Sequence, residues 1–184
     1  MTGVDDQALL DRFRSGNPEV AFRELVAAHG KVIYNVALFT LNDEILAEDA
    51  TQDVFIRIWR GLKNFRGQAS LSSWIYRITK NVCYDFLKKR RLDPIDDEME
   101  RSLADTERPS PEGQYLADQR HLAVRRAVAQ LPERQRVAVT LYYFHHRTYE
   151  EVAEIMEQPL GTVKSYLHRA KADLAGTLVG IKGN

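Results

Sequence analysis

Cysteine, proline and long apolar runs are all scarce in this chain of 184 residues. Its single cysteine excludes an intramolecular disulfide framework and leaves no CxxC pair for a structural zinc site. No stretch approaches the roughly 18 apolar residues that cross a bilayer. The first residues lack the basic and apolar segments of a signal peptide. The sequence therefore predicts a cytoplasmic protein without a membrane segment.

Patterns that carry catalysis or bind cofactors are also missing. The chain contains no GxxxxGK[ST], GxGxxG, HExxH or GxSxG motif. None of its five histidines forms the Glu-x-x-His pair of a metal-binding helical bundle. We interpret His145 and His146 as surface or capping residues at a helix end, and Cys83 as a small buried hydrophobe. The sequence thus predicts neither an enzyme nor a cofactor or metal site.

An excess of either charge is absent overall, with 26 basic and 26 acidic side chains, but the two signs are unevenly distributed. The balance is −6 over 1–56, +9 over 57–91, −7 over 92–119 and +4 over 120–184. Ordinary solvated helix faces explain the last value but not the concentration of positive charge in 57–91. Two basic blocks separated by an acidic one predict two surfaces for a polyanion and an acidic tether.

Helical periodicity dominates residues 1–91, and no run alternates convincingly as a strand does. Pro18 begins a helix capped by Asn17, where its missing N–H costs nothing. We predict five helices here: one ending near Gly16, one from Pro18 to near Gly30, one containing 32–41, one from Asn42 or Asp43 to about Leu62, and one from Ser70 or Ser72 to the basic run 88–91. The fourth helix has a core stripe of Ala47, Ala50, Val54, Ile58 and Leu62.

Residues 92–112 are rich in Asp, Glu, Ser and Pro, and this composition predicts a mobile linker. Four more helices are predicted after it: about 112–130, one opened by Pro132, one with a capping box formed by Thr148 and Glu151, and one from Pro159 to about Val179. The predicted fold is all-α, with modules at 1–91 and 113–184 joined by the acidic linker.

Residues 148–171 have the pattern of a helix-turn-helix, with a three-residue turn at 157–159. Four apolar residues are spaced to pack the two helices together: Val152, Met156, Val163 and Leu167. The second helix carries polar and cationic side chains that suit a major groove: Lys164, Ser165, Tyr166, His168, Arg169 and Lys171. Any pair of amphipathic helices with a short turn would look similar, yet the cationic second helix favours DNA binding.

Cations alternate with aromatic residues between 57 and 91, which suits single-stranded DNA. Trp59 and Trp74 fall on apolar stripes and are predicted to be core residues, whereas Phe65 lies in a loop. Asp49, Gln52 and Asp53 share one face of the fourth helix. This face is either an ordinary solvated surface or an interface for a basic partner.

Together these segments resemble the extracytoplasmic-function sigma factors, the smallest bacterial sigma-70-type initiation factors. The resemblance covers nearly the whole chain and rests on motifs in a fixed order. Residues 47–55 (AEDATQDVF) resemble region 2.2; 65–67 (FRG), 74–78 (WIYRI) and Asn81 resemble regions 2.3 and 2.4; 131–136 (LPERQR) and 149–153 (YEEVA) resemble region 4.1 and its continuation; and 160–165 (LGTVKS) resemble the region 4.2 recognition helix.

The resemblance implies a role for each matched segment. Region 2.2 of the family docks on a coiled coil of the polymerase β′ subunit, which maps to Asp49, Gln52, Asp53 and Phe55. A flipped base of the −10 element would be captured by Phe65, Arg66, Gly67 and Gln68, with Arg77, Lys80 and Asn81 facing the −10 duplex edge. Region 4 binds the β-flap and reads the −35 element, which maps to Thr162, Lys164, Ser165, Tyr166 and Arg169.

Further expectations follow from the same resemblance. The linker would thread the RNA path of the polymerase, an anti-sigma protein would hold the factor inactive, and the free chain would be monomeric. Its acidic blocks predict weak DNA binding without polymerase. Two residues depart from the family pattern: Glu157 replaces a common Gly in the turn, and Tyr166 replaces a common Arg. An ordinary helix-turn-helix regulator is the alternative, but it leaves the block at 57–91 without a role.

Overall fold

The structure, a computed structural model, describes residues 6–92 and 123–179 of the chain. Within those two ranges the chain is helical with short turns and contains no strand, which confirms the all-α prediction. The predicted linker, apart from Leu92, lies outside the described residues. In chain order the helices are α1 (Asp6–Arg14), α2 (Pro18–Leu41), α3 (Glu44–Leu62), α4 (Leu71–Leu92), α5 (123–129), α6 (Glu133–Val139, continued by a π-helical turn at Thr140–Phe144), α7 (Tyr149–Met156) and α8 (Leu160–Val179).

The first module, α1 to α4, is built around the apolar stripe of α3. All five predicted residues of that stripe are completely buried among α1, α2 and α4. Asp43 caps α3 by accepting a hydrogen bond from the backbone N–H of Leu46 at 2.9 Å. Cys83 is fully buried in the same core, as predicted, and burial raises the pKa of its thiol to about 12.

The prediction of a break near Gly30 was wrong, because α2 continues from Pro18 to Leu41. A glycine inside a helix costs about 1 kcal/mol relative to alanine but does not end the helix when both flanks pack. Here Leu25 and Ile33 are buried on either side of Gly30, and Phe55 of α3 approaches it. Asn17 takes the predicted cap position, although its side chain makes no capping hydrogen bond.

The second module contains the predicted helix-turn-helix, formed by α7 and α8. Thr148 accepts a hydrogen bond from the Glu151 N–H at 3.1 Å, and Glu151 accepts one from the Thr148 N–H at 2.8 Å, so the predicted capping box is present. The four residues predicted to pack the two helices are all buried. Glu157 ends α7 with a φ of +55°, the left-handed conformation in which glycine is usual.

The two modules pack against each other, an arrangement that the sequence analysis left open. Val36 of α2 and Tyr76 of α4 belong to the core of the second module. Phe39 of α2 stacks on Phe144, with ring centroids 4.4 Å apart. The Arg136 guanidinium also reaches across and donates to the carbonyl oxygen of Thr40 at 2.7 Å. The second core is thus completed by side chains of the first module.

Candidate nucleic-acid interface

The first turns of α8 present an exposed polar and cationic face. Lys164, Ser165, His168 and Arg169 line one open surface depression there. Ser165 donates its hydroxyl proton to the carbonyl oxygen of Gly161 at 2.9 Å, and the Lys164 ammonium lies 5.9 Å from the centre of the Tyr149 ring. This surface carries donors of different reach, which suits contact with phosphates and base edges.

Two other residues predicted for this surface are less accessible. Thr162 is half-buried, and Tyr166 packs with Tyr84 of α4 against the second core. A hydrogen bond between Tyr166 and Arg134 raises the pKa of the Arg134 guanidinium. Tyr166 is therefore half-buried, and its side chain is hydrogen-bonded to Arg134 of α6.

The capping box that begins α7 is reinforced by Arg147. Its guanidinium lies 3.0 Å from the Glu151 carboxylate. Burial acts to raise the pKa of Glu151, but the Thr148 N–H and the Arg147 guanidinium outweigh it, so that the pKa lies below its usual value. The first helix of the helix-turn-helix thus has a fixed start, which sets the position of the turn and of α8.

The face of α4 assigned to the −10 duplex meets the second module. The Lys80 ammonium lies 2.8 Å from the Glu157 carboxylate, and the Lys80 side chain is only 5% exposed. Arg77 donates to the Glu154 carbonyl oxygen at 3.3 Å and lies 3.7 Å from the Glu154 carboxylate. The hydrogen bond that Glu157 accepts from Lys80 lowers the pKa of the Glu157 carboxylate. Among the predicted −10 residues of α4, only Asn81 is exposed.

The loop before α4 presents Arg66, Gly67 and Gln68 to solvent. Gly67 has a φ of +71°, a conformation that favours glycine at the tip of this turn. Phe65 differs from its neighbours: it is only 7% exposed and packs on Trp74, with ring centroids 5.1 Å apart. The structure therefore places Phe65 beneath the loop as an anchor, and the other three residues at its surface.

The predicted polymerase-facing residues of α3 fall into two groups. Asp49 and Gln52 are exposed, whereas Asp53 and Phe55 are half-buried. The Asp53 carboxylate lies 3.0 Å from Arg57, which also holds Asp85 of α4 at 2.8 Å. Asp49 and Gln52 are consequently the most accessible part of that face.

An apolar groove beside this face was missed by the sequence analysis. It is lined by Phe22, Phe55, Ile56, Trp59 and the Arg60 side chain. Trp59 was predicted to be a core residue, but it is 38% exposed while its ring packs edge-on against Phe22 at 5.0 Å. The exposed Ile56, four residues from Gln52 on α3, was the available signal for it.

His145 takes the predicted capping position at the end of the π-helical turn, where its backbone N–H donates to the Thr140 carbonyl oxygen at 3.2 Å, but its side chain is half-buried rather than at the surface. Its ring lies 5.7 Å from that of Tyr76 in α4, and Arg147 lies over the same Tyr76 ring at 4.9 Å. Burial, followed by the positive charge of Arg147, lowers the pKa of His145 to about 4. His146 remains exposed, as predicted. The difference arises because the modules pack together, which periodicity along one helix does not reveal.

Neither a metal centre nor a membrane-spanning helix is found in the part of the chain that the structure describes. No group of three or more His, Cys, Asp or Glu side chains comes together there as a metal site. The helices of 6–92 and 123–179 are too short or too polar to cross a bilayer.

Comparison with known proteins assigns both modules to one family. The family models for sigma-70 region 2 and sigma-70 region 4 match residues 25–92 and 121–174, respectively. The RNA polymerase sigma-H factor of Pseudomonas aeruginosa is 34% identical over 93% of this chain and 92% of its own length. The ECF RNA polymerase sigma-E factor of Escherichia coli is 31% identical over 91% of each chain.

The chain belongs to the extracytoplasmic-function sigma factors of the sigma-70 family. It therefore acts in transcription initiation, directing RNA polymerase to promoters. Solved structures share its fold: CnrH, determined with the cytosolic domain of CnrY, has a TM-score of 0.71 at 23% identity over 95% of this chain and 97% of its own. The sigma factor RpoE of Bartonella quintana, determined with the anti-sigma factor NepR, has a TM-score of 0.68 at 24% identity over 85% and 96%.

The matched regions of this sigma factor contain all of the predicted site residues. Those on α3, α4 and the loop between them fall within the region 2 match, and those on α8 fall within the region 4 match. The geometry adds a distinction that the match does not carry: the region 4 surface is largely open, while the α4 part of the region 2 surface is covered by α7 and its turn.

Proposed function

We propose that this sigma factor reads the −35 element with the start of α8 and the −10 element with α4 and the loop before it. The observation that carries the proposal is the exposed set of Lys164, Ser165 and Arg169 on the second helix of a capped helix-turn-helix. Lys and Arg at these positions reach phosphates and guanine edges, while Ser allows close approach. Thr162 and Tyr166 lie at the margin of this surface.

Opening of the −10 DNA rests on the loop between α3 and α4. The energy lost in base pairing and stacking is offset by contacts that a flipped base makes in a protein pocket. Arg66, Gly67 and Gln68 form the exposed wall of that pocket, and the buried Phe65 holds the loop in place. Arg77, Lys80 and Asn81 then face the duplex edge next to it.

Polymerase docking uses the accessible end of the α3 face. Asp49 and Gln52 contact the coiled coil of the β′ subunit, with Asp53 and Phe55 beside them, while region 4 binds the β-flap. The acidic, exposed character of Asp49 fits a basic partner surface. The factor supplies promoter choice rather than catalysis. It acts in the cytoplasm, together with RNA polymerase. An anti-sigma protein holds it inactive.

Run-off transcription with core polymerase on a promoter library tests this proposal. Wild-type protein is expected to select promoters that share two separated elements. Replacing Lys164 and Arg169 together with alanine should lower transcription by on the order of tenfold or more, since each contact contributes about 1–3 kcal/mol. Lys31→Ala removes an exposed cation from α2 and serves as the matched control.

The same experiment separates the sigma factor from the alternative, a stand-alone helix-turn-helix regulator. A regulator would bind a palindromic operator without polymerase, and its binding would not require the loop residues. Two results together would overturn the proposed function. These are tight operator binding by the free chain and full transcription by the Lys164→Ala, Arg169→Ala variant.

A further inference from the structure

Helix α1 contacts the loop that our proposal gives to the flipped base. The Arg14 guanidinium, in the last turn of α1, donates to the Phe65 carbonyl oxygen at 2.5 Å. That oxygen belongs to the peptide unit between Phe65 and Arg66, which lies beyond the end of α3, so a helical partner for it is missing. Arg14 therefore holds the point at which the chain passes from the core into the exposed part of the loop.

The position of Arg14 is set by apolar residues of the same helix. Leu9 and Leu10 are buried in the core of the first module. Phe13 packs edge-on against Trp59 of α3, with ring centroids 5.5 Å apart. Since Trp59 lies one turn before the end of α3, these contacts place the last turn of α1 beside the start of the loop.

A second contact holds the same loop residue from within the core. The Phe65 ring packs on Trp74, and a side chain at Gly61 would bring its Cβ within 2.8 Å of the Trp74 ring. Glycine at this position therefore lets Trp74 lie close against α3 and under Phe65. With its ring held by Trp74 and its carbonyl by Arg14, Phe65 has a fixed orientation, which sets the direction in which Arg66 leaves the core.

We propose that Arg14 is a positioning residue for opening of the −10 DNA, because its hydrogen bond holds the loop of Arg66, Gly67 and Gln68 in the conformation that receives the flipped base. The inference rests on the proposed capture of a base by this loop. It adds a residue of α1, which lies before residue 25, where the match to sigma-70 region 2 begins. A loop that is ordered in advance loses less conformational freedom when the base binds, so more of the contact energy is retained.

Hydrogen exchange in the free, full-length chain tests whether Arg14 holds the loop. Arg14→Met keeps a long apolar side chain on α1 but removes the donor. The backbone amides of 63–70, followed by mass spectrometry, should then exchange on the order of fivefold faster than in the wild type. Arg12→Met is the matched control, because it removes the same charge from the same helix, where Arg12 pairs with Glu24 at 2.8 Å. Equal exchange in the two variants would overturn the inference.

Binding of single-stranded DNA by the holoenzyme tests whether this positioning serves base capture. The probes are a fluorescein-labelled strand carrying the −10 element of a promoter selected in the run-off assay, and the same strand with one abasic site at each −10 position in turn. Wild-type holoenzyme should bind the intact strand on the order of tenfold more tightly than the strand that lacks the flipped base.

The ratio of these two affinities is the readout for Arg14. Arg14→Met should lower the ratio by on the order of fivefold and leave binding of the abasic strand unchanged. Arg12→Met should keep the wild-type ratio. Arg14→Lys retains a donor of similar reach and should restore the ratio to within about twofold of the wild-type value.

The abasic strand separates positioning from other roles of Arg14. Direct binding of a phosphate by Arg14 would lower the affinities for both strands equally, and a purely structural contact would speed exchange without changing the ratio; either result would overturn the inference. If no abasic site weakened binding by the wild type, base capture by this loop would be wrong, and the inference with it. The exchange result would still report whether Arg14 holds the loop, so the two failures are distinguishable.

Discussion

The two predicted DNA surfaces of this sigma factor both carry clustered cations but have different surroundings. On α8, Lys164 and Arg169 are exposed, whereas on α4 Lys80 is buried and Arg77 half-buried where α7 and its turn pack. Both surfaces were predicted from clusters of cations, since a cluster predicts affinity for a polyanion, and their residues were assigned from the family resemblance. What occupies each cluster in the free chain depends on tertiary packing. The comparison teaches that a binding surface and its availability are separate properties, and only the first is local in sequence.

The largest effect is expected at Tyr76, which belongs to α4 but completes the second core. Tyr76→Ala should lower the free energy of unfolding by about 3–5 kcal/mol, because a large buried ring is removed from between the modules. Urea denaturation followed by circular dichroism measures this. The matched control is Tyr143→Ala, at an exposed tyrosine, which should change stability by no more than about 0.5 kcal/mol. Similar losses in both variants would show that the modules do not share a core.

A pH effect at His145 sharpens the comparison, because this histidine lies on the covered side. Its pKa is about 4 when packed against Tyr76 and Arg147, and 6.5 when released. Protons therefore bind preferentially to the released state. The contribution of neutral, packed His145 to the free energy of unfolding is fully present above pH 6.5 and is lost as the pH falls toward about 4.

Melting temperatures measured across that pH range provide the check. Wild-type protein should lose more stability on acidification than His145→Gln, which cannot take up the proton. The neighbouring exposed residue gives the control, since His146→Gln should retain the wild-type pH dependence. Parallel curves for wild type and His145→Gln would place His145 in solvent.

The smallest effect concerns the open surface alone. Thr148→Ala removes the N-cap of α7 and should cost about 1 kcal/mol of stability. Thr177→Ala is the control, because Thr177 is exposed near the end of α8 and bonds only to the Asp173 carbonyl oxygen of its own helix. Chemical denaturation should show the loss for the first variant; an equal, negligible change in both would mean that the capping box does not set the position of the turn.

Much of the fold was predictable because its determinants are local. The stripe of α3, the capping box at Thr148 and the turn at Glu157 each depend on residues within a few positions of one another, and all are present. The prediction of a helix break at Gly30 failed for the opposite reason. Helix α2 continues through Gly30 because it packs against α3, whose residues lie far away in sequence.

The residues of the candidate site remain predictions from the sequence, and their exposure could not be predicted from it. Sequence identified Phe65 and Lys80 as residues of interest, yet burial of Phe65 under its loop and pairing of Lys80 with Glu157 join residues from different helices. His145 illustrates the same limit, since its partner Tyr76 is 69 positions away in the chain. Such contacts follow from how the modules meet, and no periodic pattern within one helix encodes them.

The most direct test of the central claim compares two lysines in one sample. Brief treatment of the free, full-length protein with an amine-reactive ester, followed by mass spectrometry, reports the accessibility of Lys80 and Lys164 together. The account predicts rapid modification of Lys164 and protection of Lys80, which is held by Glu157 with its side chain 5% exposed. Modification of both lysines at the same rate would contradict it, because the α4 surface would then be as open as that of α8.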